Sequence, residues 1–136
     1  NYNSILIPAS KVLEKTNYRS YLSHKAIARA AGIGWIGKSL LLVTEEHGAR
    51  LRFASVLTDL PLKCGTPMKS KCGDCKICID ECIADALHNY EFEEYPSIRK
   101  NSLEVEKCAN TLERFGEDPD ISGGVCGICI KVCPYS

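Results

Sequence analysis

All nine cysteines of this 136-residue chain lie between positions 64 and 133, and seven of them fall in two short runs. The first run is Cys72-Gly-Asp-Cys75-Lys-Ile-Cys78-Ile-Asp-Glu-Cys82, with spacing C-x2-C-x2-C-x3-C. The second, Cys126-Gly-Ile-Cys129-Ile-Lys-Val-Cys133-Pro134, repeats the C-x2-C-x3 part and ends on proline. The corner expected three residues before Cys126 is Gly123, so the second run is one thiol short. Nine cysteines fall just short of the roughly 8–10% that marks a disulfide scaffold, yet they are too many for packing alone. Their odd number fits poorly with a closed set of disulfides.

The spacing has a geometric meaning. Three thiolates two residues apart can wrap three corners of one cubane, while the fourth is carried by the next helical turn to another cluster. That is the arrangement of bacterial two-cluster ferredoxins. Cys72, Cys75, Cys78 and the distant Cys133 would then hold one [4Fe–4S] cluster. Cys82, Cys126 and Cys129 would share the second with Cys108, which replaces the corner vacant at Gly123. Cys64 is left over. Cys-x2-Cys pairs also bind structural zinc, which would make the chain a zinc-stapled binding protein. Two pairs parted by a spacer favour zinc, whereas here four cysteines lie within eleven residues and a proline follows Cys133. Ile83 stands where a proline usually follows the fourth cysteine.

Seventeen basic residues balance seventeen acidic ones, which argues against a broad electrostatic footprint for nucleic acid or an anionic membrane. The apolar stretches, such as Leu40 to Val43, are far short of the roughly 18 residues of a membrane span. No secretory signal opens the chain, and a reducing cytoplasm is the expected compartment. The opening on Asn1 suggests a fragment or processed chain whose natural N-terminus lies upstream.

Composition divides the chain into residues 1–63, free of cysteine, and 64–136. The expected class is α+β, a small helix-plus-hairpin portion packed on a ferredoxin-like double-cluster domain. Pro8-Ala-Ser10 offers an N-cap for a helix over 11–15, and Ser23 caps a second that Gly32 stops. The β-rich runs Leu40 to Thr44 and Leu51 to Thr58 are expected to pair as a hairpin. In the second part, Val105, Cys108, Ala109, Leu112 and Phe115 form the stripe of a helix ended by Gly116, with Cys108 facing inward. Residues 91–96 and 115–120 read as exposed loops. His24, His47 and His88 have no second ligand at useful spacing and read as surface or structural.

Gly32-Ile-Gly34-Trp35-Ile36-Gly37-Lys38-Ser39 matches both G-x-G-x-x-G and G-x-x-x-x-G-K-S. Phosphate loops need a strand before the glycines and a helix after. Here a helical pattern precedes Gly32 and an apolar β-rich run follows, so a P-loop-type nucleotide binder is the alternative rather than the main reading. A helix C-cap and tight turn explains Gly32 but not all three glycines.

The segment from Ala26 to Ser39, then Leu57-Thr-Asp-Leu-Pro61, then the two cysteine runs, together resemble the epoxyqueuosine reductases over roughly residues 20–136. That family combines cobalamin with two [4Fe–4S] clusters and is distantly similar to the reductive dehalogenases. The resemblance implies that Gly32, Gly34, Trp35, Gly37, Lys38 and Ser39 belong to a cobalamin-binding region of the full-length protein. It also supports Cys108 as a ligand. In the family a Val-Asp-Ser-Ala-Pro stretch supplies a catalytic Asp, whereas this chain reads Tyr18-Arg-Ser-Tyr21-Leu there, without a carboxylate. The likeness is to the C-terminal part only. The expected function is electron transfer through two clusters, from a soluble donor to a small-molecule or tRNA-linked acceptor, in a unit not catalytic alone.

Overall fold

The computed structural model describes residues 1–9, 13, 18, 20–120 and 123–136. The helix expected over 11–15 lies outside the described residues. In chain order come β1 (Ser4–Ile7), α1 (His24–Ala30), β2 (Trp35–Ile36), β3 (Leu42–Val43), β4 (Ser55–Thr58), α2 (Ile77–Asp80), α3 (Val105–Glu117) and α4 (Ile128–Lys131). The class is α+β. No helix among the described residues is long and apolar enough to cross a membrane.

α1 begins where Ser23 accepts a hydrogen bond from the Ala26 amide, and it ends at Ala31. Gly32 then turns left-handed at φ +74°, a conformation glycine adopts without steric cost. β2 pairs antiparallel with β3, Trp35 opposite Val43. Gly34 makes this pairing fit, since a Cβ there would stand 2.2 Å from the Val43 carbonyl oxygen. The expected hairpin between 40–44 and 51–58 does not form. β3 is taken by β2, and β4 pairs instead with β1, Ser4 opposite Thr58. The Glu45-Glu46-His47 turn closes on itself through a Thr44–Gly48 bridge.

Two buried groups form the core. Ala28, Ile36, Leu40 and Leu42 gather with Leu51, Phe53, Phe92, Tyr95 and Leu103. Residues 91–96 are thus not simply an exposed loop: Phe92 and Tyr95 lie against this core and Pro96 is buried. Burying those rings removes apolar area from water, which outweighs the polar character of their neighbours. The other group, Trp35, Val43 and Ala49, packs against Met68, Cys72, Ile130 and Cys133. Trp35 is fully buried and meets Tyr135 edge-on at 4.9 Å.

α3 carries the expected stripe, with Val105, Cys108, Ala109, Leu112 and Phe115 half-buried and Glu106, Lys107, Glu113 and Arg114 exposed. It runs through Gly116 to Glu117, so 115–117 are helical and Asp118–Asp120 are exposed.

Candidate metal centre

The two cysteine runs fold alike. Around α2 the amides of Ile79 and Asp80 donate to the Lys76 carbonyl, Cys82 to Ile79 and Asp85 to Cys82. Around α4 the amides of Ile130 and Lys131 donate to Gly127, Cys133 to Ile130 and Ser136 to Cys133. Each of these bonds around α2 has its counterpart 51 residues on, the separation of Cys78 from Cys129. α2 and α4 pack on each other, which brings the repeats face to face.

Eight cysteines come together in two adjoining groups. Cys78 is surrounded by Cys72, Cys75 and Cys133, with Cys129 also near. Cys129 in turn neighbours Cys126, Cys108 and Cys82. Cys129, in α4, therefore lies at the junction of the two groups, while Cys133, just after the helix, stands with Cys78. Burial, reinforced by neighbouring thiols, pushes Cys78 and Cys129 up to about 11 and moves Cys108 in the same direction. These thiols are poor anions unless a cation neutralises them, which is the service a bound metal performs.

Cys108 is placed by two fastenings. The strand-like segments Ala86–His88 and Ser102–Glu104 join through the Leu87–Leu103 bridge and the Glu104 amide donating to Ala86, which sets the start of α3 beside the first run. At its other end α3 is met by Gly124, where a Cβ would stand 2.7 Å from the Leu112 carbonyl oxygen. Cys82 accepts a 3.5 Å hydrogen bond from the Ala86 amide. Cys64 is exposed and belongs to neither group.

The first group, together with Cys129, lines a cavity of about 260 Å³, closed by Gly37, Lys38, Ser39, Val43, Lys71, Pro134 and Tyr135. The glycine loop is thus a wall of the cysteine site. A Cβ at Gly37 would stand 2.9 Å from the Val43 side chain and 3.7 Å from the Cys72 sulfur. One at Gly32 would stand 2.5 Å from the Thr66 carbonyl. With Gly34 against Val43, all three glycines have a packing reason. The loop follows α1 and enters β2, the reverse of a phosphate loop. Of its six predicted site residues, Gly34, Trp35, Gly37 and Ser39 are buried, while Gly32 and Lys38 are half-buried. Lys71 and Tyr135, which no motif marks, join the wall, and the Tyr135 hydroxyl donates to the Lys71 carbonyl at 3.1 Å.

The residues suit a cluster. Among the described residues no three Cys, His, Asp or Glu side chains converge on the space of one metal ion. Zinc bonds of about 2.3 Å would draw four sulfurs to within ~3.8 Å of each other. The buried Trp35 indole N–H, in the group that packs against Cys72 and Cys133, has no acceptor among the described residues. A sulfide-rich group between those cysteines supplies acceptors of that kind. None of the histidines joins the thiols: His24 meets Ser55 and Pro8, His47 stands beside Glu46, and His88 pairs with Glu104 at 3.0 Å.

Residues 71–136 match the 4Fe-4S double cluster binding domain. That segment is a double-cluster iron–sulfur domain. The chain is 33% identical over 112 residues to the epoxyqueuosine reductase of Leadbetterella byssophila, covering 82% of this chain and 36% of that one. With the Listeria monocytogenes enzyme it shares 34% over 115 residues, 85% and 30% of the two lengths. A crystal structure of epoxyqueuosine reductase with a tRNA-Tyr epoxyqueuosine-modified stem loop matches 98% of this chain and 33% of its own, with TM-score 0.69 and 25% identity. The chain is epoxyqueuosine reductase-like, and it spans about a third of the length of these relatives.

Proposed function

We propose that this chain is the electron-transfer unit of an epoxyqueuosine reductase-like oxidoreductase. Cys72, Cys75, Cys78 and Cys133 hold one [4Fe–4S] cluster, and Cys82, Cys108, Cys126 and Cys129 hold the other. When bound, each cluster accepts and releases single electrons. The observation that carries the reading is the pair of adjoining cysteine groups joined through α4. Residues 1–63 supply the wall: Trp35, Val43 and Ala49 exclude water from the first site, while Gly37 lets the loop pack closely on Val43.

A soluble carrier in a reducing cytoplasm supplies the electrons, a reading supported by nine free thiols. The acceptor is a small molecule or a tRNA-linked base, supported by the likeness to a reductase solved with a tRNA stem loop. Cobalamin, implied by the family resemblance for the full-length protein, would meet the glycine loop, of which Gly32 and Lys38 are half-exposed and Ile33 is exposed. Tyr18 to Leu22 bring no carboxylate to the place of the family's catalytic Asp, so the chain is not a catalyst by itself.

Anaerobic metal analysis tests the assignment. Two cubanes bring about eight irons and as many acid-labile sulfides per chain. Tightly bound zinc without labile sulfide would replace this reading with a zinc-stapled protein.

A further inference from the structure

Lys38 is a half-buried cation on the wall of the first cysteine cavity. Among the described residues its ammonium has neither an ion pair nor a hydrogen bond. The other lysine on that wall, Lys71, is already neutralised by Glu45 and lies over the Trp35 ring at 5.8 Å. Near the second group the cation is also engaged: Lys107 reaches Glu104 at 3.0 Å and Asp85 at 3.6 Å. Lys38 is thus a positive group on the wall of the first site with no carboxylate partner among the described residues, whereas Lys107 beside Cys108 is paired. Lys38 and Cys72 also line a neighbouring open cavity of about 380 Å³, with Tyr90, Glu91, Phe92 and Glu93 around it. The glutamates there form no ion pair with Lys38.

A group bound by four thiolates is already anionic, and one added electron makes it more so without moving a proton or a bond. A nearby fixed cation stabilises the more negative state, and partial burial weakens solvent screening of that attraction. We propose that Lys38 raises the reduction potential at the Cys72, Cys75, Cys78 and Cys133 site above that at the Cys82, Cys108, Cys126 and Cys129 site. Electrons then settle on the side of the molecule where the glycine loop stands. The lysine of the nucleotide-like motif thereby acts on the cluster site rather than on a phosphate. This rests on the ligand reading above.

The test is a potentiometric titration of the anaerobically loaded chain, followed by low-temperature paramagnetic resonance after iron and sulfide have been counted. Lys38→Met should lower one midpoint by about 59 mV, a tenfold change in that site's one-electron equilibrium, and leave the other in place. Lys38→Arg should keep both. Lys71→Met, which removes a cation already paired, should shift the same midpoint by less. Should Lys38→Met load less iron, Lys38→Gln makes the same comparison with a polar stem. Two unchanged midpoints in a fully loaded neutral variant would overturn the proposal, as would equal shifts at both sites. A wild-type chain without iron and sulfide would instead overturn the ligand reading, so the two failures are told apart.

Discussion

Cys64 and Cys108 both lie outside the two runs, and their surroundings separate them. Cys108 is half-buried on α3, its thiol pushed up by burial and by Cys82 and Cys126, whereas Cys64 is exposed in an extended segment. Cys108→Ala should therefore remove roughly one to four irons per chain and disturb the spectrum of one centre. Cys64→Ser should keep the full iron content. Equal losses in the two variants would show that Cys64, too, is a ligand. The half-buried place of Cys108 on α3 was legible in the sequence because a helix repeats every 3.6 residues, so the stripe from Val105 to Phe115 could be counted out. The vacancy at Gly123 then asked for a thiol. The role of Gly32 to Ser39 was not legible in the same way. The spacing of its glycines is also that of a phosphate loop, and only the distances to Thr66 and Val43 show what each one accommodates. Lys71 and Tyr135 carry no local signal, because their place on the cavity wall comes from long-range packing.

At the scale of elements, the α+β class and the α1 cap were readable, while the pairing of the strands was not. Leu40 to Thr44 and Leu51 to Thr58 both have β-rich composition, yet composition cannot choose a partner. The choice is made by backbone approach: Gly34 admits the Val43 carbonyl, and the 51–58 run is left to β1. Gly34→Ala should cost about 1–3 kcal/mol or more, since the new methyl must displace backbone rather than a flexible side chain. Denaturant melting of the loaded chain checks this, and an unchanged midpoint would mean that β2 and β3 are not held so closely. α4 makes a second demand. On the proposed ligand sets Cys129, in α4, and Cys133, just after it, serve different clusters, so Cys129→Ala and Cys133→Ala should disturb opposite centres despite lying four residues apart. Resonance spectra of the same centre altered by both variants would rule out the crossed arrangement.

Across the whole molecule, burial is uneven. Trp35, Ile36, Leu40, Leu42 and Val43 are almost wholly enclosed, yet no residue of α2, α3 or α4 is buried. Beyond residue 63 the enclosed side chains among the described residues are Ala86, Leu87, Pro96 and Ser102, too few to order the segment through apolar burial alone. Thiol ligation must supply much of the rest, so binding free energy there is also folding free energy. Trp35 links the two parts, because its ring meets Tyr135 and its buried group packs against Cys72, Ile130 and Cys133. Removing iron with an anaerobic chelator should therefore act in a graded way. Amides of α3 should exchange as in an unfolded peptide, while those paired between β2 and β3 stay protected longer, held by the group around Ile36, Leu40 and Leu42. Trp35 fluorescence should shift to the red as its cysteine-side neighbours loosen. Hydrogen exchange resolved along the chain reads both effects. Protection of α3 that survives complete loss of iron would mean that the helix is held by its half-buried stripe, and that the cysteine sites are passengers rather than the core of the second half.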